Sequence, residues 1–171
     1  MNTWEDLPMS AFEETDEVRL EEIPTQEDFE RFQETNSKGI LCVAESTAGE
    51  GTGATLASET YRFAKWVRKN RPAMVIDVVN GIGIRELRSG DYWFPLVFLA
   101  SDIALPIYLN LVANYIYEVA RGALAHDRQN VHLEAMYKDG ETGTTKKFVY
   151  RGPVAGLEAS MKKIDLNKLL G

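Results

Sequence analysis

Two short apolar runs with a helical segment between them constrain this chain more than any other feature. Gly39-Ile-Leu-Cys-Val-Ala44 and Met74-Val-Ile-Asp-Val-Val79 are both bounded by turn residues, and the second is dense in β-branched side chains. Ala54 to Asn70 carries Leu56, Tyr61, Phe63, Ala64 and Val67 at near-helical spacing. Basic Arg68, Lys69 and Arg71 crowd its end, as the helix dipole prefers, and Pro72 stops it. Strand, helix and strand in this order predict a βαβ unit with parallel strands.

The remaining segments extend that unit. Thr25 and Asp28 form a capping-box-like start for a short helix with Phe29 and Phe32 on one face, ending near Asn36. Val131, Leu133, Ala135 and Tyr137 alternate with polar residues, then Asp139 to Gly143 supplies a turn and Phe148 and Tyr150 alternate again. That pattern predicts a β-hairpin. Pro153 opens a last amphipathic helix with Leu157, Met161 and Ile164. The most apolar stretch, from Tyr92 to Gly122, is expected to form two helical segments, about 92–103 and 105–122, broken at Pro106. The fold class is α/β with an α+β tendency: a mixed sheet of about four strands, helices packed on it, and a C-terminal hairpin plus helix.

Charge divides the chain more sharply than hydropathy does. Residues 1–36 hold twelve acidic residues against Arg19 and Arg31, a net of −10, whereas residues 37–171 carry a net of +3. We therefore expect an acidic arm over 1–24, with Val18 and Leu20 as a short edge strand at most, joined to one domain over 25–171. Lys146, Lys147 and Arg151 beside Phe148 and Tyr150 give the hairpin a basic face, expected to be a solvated strand face, with the acidic arm or a nucleic acid as the alternatives it could dock. An acidic total argues against nucleic acid as a partner. Cys42 is the sole cysteine, and the N-terminus lacks a basic stretch followed by an apolar run, so a cytoplasmic location is expected.

Trp93 to Tyr117 is long enough to cross a bilayer but contains Asp102, Asn110, Asn114 and two prolines. An aspartate near mid-membrane costs roughly 2.5–3.5 kcal/mol, which favours a core helix over a membrane segment. Asp102, Pro106, Asn110, Asn114 and Glu118 recur every four residues and make one polar stripe. Asp102, Asn110, Asn114 and Glu118 are thus the candidate interaction residues, facing a protein partner or a second copy.

Catalytic motifs are sparse. Glu45 and Asp77 lie near strand ends, and Gly49, Gly51 and Gly53 precede a helix start, a setting in which backbone amides cradle phosphate and carboxylates hold Mg²⁺. The loop matches neither GxxxxGK[ST] nor GxGxxG, and Glu50 would repel a phosphate. His126 and His132 have no metal-ligand spacing, and no GxSxG occurs. No resident cofactor is expected outside the Mg²⁺-dependent alternative.

Leu87 to Pro95, continuing through Ser101 to Pro106 to Asn114 to Tyr117, resembles uncharacterised bacterial proteins, as does the hairpin-plus-helix ending Val131 to Ile164. The ending Val131 to Ile164 is similar to the C-terminal part of small effector-associated proteins of bacterial conflict systems. The resemblance brings no catalytic residues and implies an accessory role. The function expected is a non-enzymatic interaction protein binding a protein partner or itself; the alternative is a phosphate- or nucleotide-binding enzyme using Glu45, Asp77 and the glycine loop.

Overall fold

The computed structural model describes residues 17–24, 26–35, 38–46, 54–79, 84–85, 91–119, 130–157 and 159–160. Six strands form one mixed sheet in the order β1-β9-β8-β7-β2-β5. They are β1 (Glu17–Ile23), β2 (Ile40–Val43), β5 (Ile76–Val78), β7 (Tyr92–Leu99), β8 (Asn130–Lys138) and β9 (Thr145–Pro153). A second sheet joins β3 (Glu45–Ser46), β4 (Ala54–Ala57) and β6 (Ile84–Arg85) in the order β3-β4-β6. The helices are α1 (Glu27–Thr35), α2 (Thr60–Asn70) and α3 (Leu105–Val119), and residues 154–157 and 159–160 are also helical. The protein is α/β, with six strands in the main sheet rather than about four.

The expected βαβ unit is present. β2 and β5 pair in parallel, with Leu41 opposite Asp77, and α2 lies between them in sequence. The helix starts later than Ala54, because Ala54–Ala57 is strand β4, paired in parallel with β6 through Leu56 and Ala57. Leu56 is fully buried either way, so its apolar character did not discriminate the two periods. Thr60 begins α2 and its Oγ1 donates to the Ala57 carbonyl at 2.7 Å. Phe63, Ala64 and Val67 are then the helix's buried face.

The larger correction is at 92–103, where the chain forms strand β7 instead of a helix. Tyr, Trp, Phe and Val are strong strand formers, and a central strand buried on both faces shows no period of its own. β7 pairs antiparallel with β2 and parallel with β8. Trp93 lies opposite His132 and Leu96 opposite Glu134, so β7 carries one extra residue, and Pro95 falls inside this irregularity. There its missing N–H leaves no ladder bond unmade. Pro106 does not break a helix either. It sits in the first turn of α3, where proline is tolerated because that amide has no helical acceptor. Gly122, the expected cap, lies outside the described residues.

Two cores sandwich the sheet. On one face, α2, α3 and the last helical residues bring Phe63, Tyr108, Val112, Tyr115 and Leu157 onto Cys42, Val97, Leu133 and Phe148. On the other face α1 sets Phe29 and Phe32 on Phe98, with ring centroids 5.3 and 5.9 Å apart. Within the expected arm, Glu17–Ile23 is β1, the edge strand on β9. Glu17 stands opposite Arg151, Glu21 opposite Lys147 and Glu22 opposite Lys146, so the acidic segment aligns with the basic strand. Among the described residues no helix is long and apolar enough to cross a membrane.

Candidate functional site

α3 is apolar on most of its circumference, and eight of its fifteen residues are buried. The polar stripe divides between structural and surface roles. Asp102 precedes the helix, and its Oδ1 accepts from the Gly39 backbone N–H at 2.9 Å, tying the start of β2 to the turn after β7. Glu118 accepts from Trp66 Nε1 at 2.6 Å and so fastens α3 to α2. Asn110 is exposed and Asn114 half-buried, and neither amide has a hydrogen-bond partner among the described residues. Ile107, Tyr117 and Val119 are exposed on the same helix and Tyr61 on α2, each between 45% and 49% accessible. From Leu105 to Tyr117 the helix carries no charged residue. An outward helix face made of isoleucine and amides is unusual for surface exposed only to water.

Of the alternative constellation, the described residues include Asp77 and the backbone of Glu45. Glu45 lies on β3 opposite Thr55, in the small sheet. Asp77 is exposed on β5, an edge of the large one. Gly49, Gly51 and Gly53 lie outside the described residues. Among those described, no group of three or more His, Cys, Asp or Glu side chains could hold a metal ion.

A third constellation was not anticipated. On the α1 side of the sheet, the end not covered by α1 forms a cleft of about 200 Å³. Its floor is a row across four strands: Trp93 on β7 opposite His132 on β8, His132 opposite Arg151 on β9, and Arg151 opposite Glu17 on β1. All four line the cleft, with Pro95 and Glu134 beside them. The Trp93 ring lies flat on the His132 imidazole, centroids 3.7 Å apart and planes within 1°. Asp91 Oδ2 sits 2.9 Å from His132 Nε2, while its Oδ1 accepts from the Asn130 backbone N–H at 3.1 Å. A carboxylate held by backbone thus fixes the ring, and with Asp91 ionised the Nε2 carries the proton. Nδ1 has no partner among the described residues.

The charges along this row are unevenly satisfied. Glu17 pairs with Arg19, and Glu134 lies 3.5 Å from Lys147. Arg151 is exposed and has no ion-pair partner among the described residues. Behind the row, the Glu59 N–H donates to the Trp93 carbonyl at 3.0 Å, and the Glu59 carboxylate accepts from Tyr115 Oη at 2.6 Å. Burial, and then that bond, push the Tyr115 phenol far above its ordinary range, so it stays a donor. The indole's backbone is thereby anchored to both α2 and α3.

Read only as one of two histidines, His132 gave no metal spacing. The signal that finds it is the alternation of β8, which sets His132 and Glu134 on the face opposite Val131 and Leu133. No family model, no curated protein and no solved structure matches this chain.

Proposed function

We propose that this chain is a non-enzymatic interaction protein that docks through the outward face of α3, and that the occupant is a second copy of itself. The observation that carries the reading is the uncharged ridge of Ile107, Asn110 and Asn114 on that face. A twofold interface uses the same patch on both subunits, so the patch must complement itself. A charged patch meets its own sign across such an axis, whereas an amide both donates and accepts. The rest of the surface disfavours self-association, since the chain carries a net charge of −7. An accessory role in the cytoplasm agrees with a single buried thiol.

The test is sedimentation velocity over a concentration series, on the wild-type chain and on Asn110→Lys. A concentration-dependent dimer that Asn110→Lys converts to a folded monomer is expected. A wild-type chain that stays monomeric into the millimolar range would overturn the reading.

A further inference from the structure

We propose that the cleft beside α1 binds a small organic anion, with its carboxylate or phosphate group held between Arg151 and His132. The argument begins with the cations. Three basic side chains of β1 and β9 stand on this face of the sheet, and two are paired: Arg19 with Glu17 and Lys147 with Glu134. Among the described residues the Arg151 guanidinium has no ion-pair partner; it stands directly opposite His132 and lines the same cleft. Residues opposed in this way have Cβ atoms about 4.5–5.5 Å apart, within reach of one anionic group.

The imidazole supplies the second contact. Asp91 holds Nε2, so the unpartnered Nδ1 is fixed in position, and with a proton on it this nitrogen donates to an anion beside the guanidinium. Ordering a ring in advance removes part of the entropy that binding would otherwise have to overcome. Trp93, stacked flat on the imidazole, keeps the ring from turning and excludes water from its face. Asp91 is held by His132 Nε2 and the Asn130 N–H and does not line the cleft, so its charge does not face the anion. Pro95 and Val149 give the cleft an apolar wall for the organic part of the ligand. The volume sets the size: about 200 Å³ is below the 300–1,000 Å³ typical of drug-sized ligands, so the occupant is a single-ring or short-chain molecule.

Benzoate and phenyl phosphate are the two probes, each titrated into the full-length chain while side-chain ¹⁵N resonances of His132 and Arg151 are followed. Saturable shifts of both side chains with one probe are expected, and the probe that binds distinguishes a carboxylate from a phosphate ligand. Arg151→Gln keeps the side-chain stem at an exposed position and should weaken binding about tenfold or more, as loss of a charged hydrogen-bond partner does. His132→Gln should do the same. Lys138→Gln, an exposed cation at the far end of β8, should leave binding unchanged. The proposal is wrong if neither probe saturates, or if Arg151→Gln binds as tightly as Lys138→Gln. Because α3 takes no part in the cleft, Asn110→Lys should bind the probe as the wild type does, whatever its oligomeric state.

Discussion

Replacing Gly39 by alanine adds a single methyl group where three strand ends meet, and the structure gives each contribution to its cost. Gly39 has φ +98, and a Cβ there would lie 2.5 Å from the Val75 carbonyl oxygen and 2.8 Å from Val75 Cβ. Escape is blocked on three sides. The Gly39 N–H donates to Asp102, its carbonyl accepts from Ala100 at 3.0 Å, and the Val75 carbonyl that would be struck accepts from Ile40 at 2.9 Å. An L-residue in this backbone region costs about 1–3 kcal/mol. Forcing an overlap with packed backbone adds about 1–3 kcal/mol more.

Two other glycines separate these contributions. Gly143 has φ +71 but open space around its missing Cβ, so Gly143→Ala carries the conformational cost alone. Gly140 has open space and no positive φ, so Gly140→Ala should be neutral or slightly stabilising, by up to about 0.5 kcal/mol. Urea unfolding of the three variants should therefore rank Gly39→Ala as most destabilised, by about 2–6 kcal/mol, then Gly143→Ala, then Gly140→Ala. At about 2–4 °C per kcal/mol for a chain of this size, Gly39→Ala should lower Tm by on the order of 10 °C. If Gly39→Ala loses no more than Gly143→Ala, the Val75 carbonyl gives way freely and the β2–β5 seam is not the rigid contact described.

Two further predictions concern the main core. Tyr108 is fully buried and its hydroxyl has no hydrogen-bond partner among the described residues, so Tyr108→Phe should be neutral or stabilise by about 1 kcal/mol in urea; a loss above about 1 kcal/mol would show that the hydroxyl is bonded. Burial pushes the Cys42 thiol up from 9.0 to about 12. The unfolded chain then releases this proton first as pH rises, so the contribution is complete below about pH 9 and is lost above it, by about 1.4 kcal/mol per pH unit. Buried Tyr108, Tyr115 and Tyr137 act in the same direction. Urea midpoints from about pH 8 to about pH 11 should fall less steeply in Cys42→Ala than in the wild type, and equal slopes would refute the assignment.

Elements whose signal is local were legible in the sequence. The hairpin of β8 and β9 follows from strict alternation, and β2 and β5 from short apolar runs between turn residues. β7 was not legible, because a strand with cores on both faces has the same uninterrupted apolar pattern as a buried helix. The site divides in the same way. All four residues of the stripe keep some exposure, as helical spacing predicts, but Asp102 and Glu118 are also bonded to partners 63 and 52 residues away. No pattern within a window carries such bonds. The row from Trp93 to Glu17 is farther still from local inference, since it needs the register of four strands at once.

One irregularity in β7 connects the fold with the cleft. A slip of one residue in a strand moves its side chains to the other face. Before Pro95, Phe94 faces the α2–α3 core and Trp93 the opposite side; after it, Val97 and Leu99 join the α2–α3 core while Leu96 and Phe98 face α1. With strict alternation, Trp93 would share a face with Val97 and Leu99, and the ring could stack on His132 only at the cost of turning Phe98 away from Phe29. The extra residue allows both. It also divides the α1 side of the sheet into an apolar end, where Leu41, Phe98 and Met136 lie in one row under α1, and a polar end, where Trp93, His132, Arg151 and Glu17 lie in another. Proline suits the site because a residue outside the ladder has no amide bond to lose. Pro95 is thus tolerated by the same irregularity that turns Trp93 onto His132, beside Arg151 in the cleft.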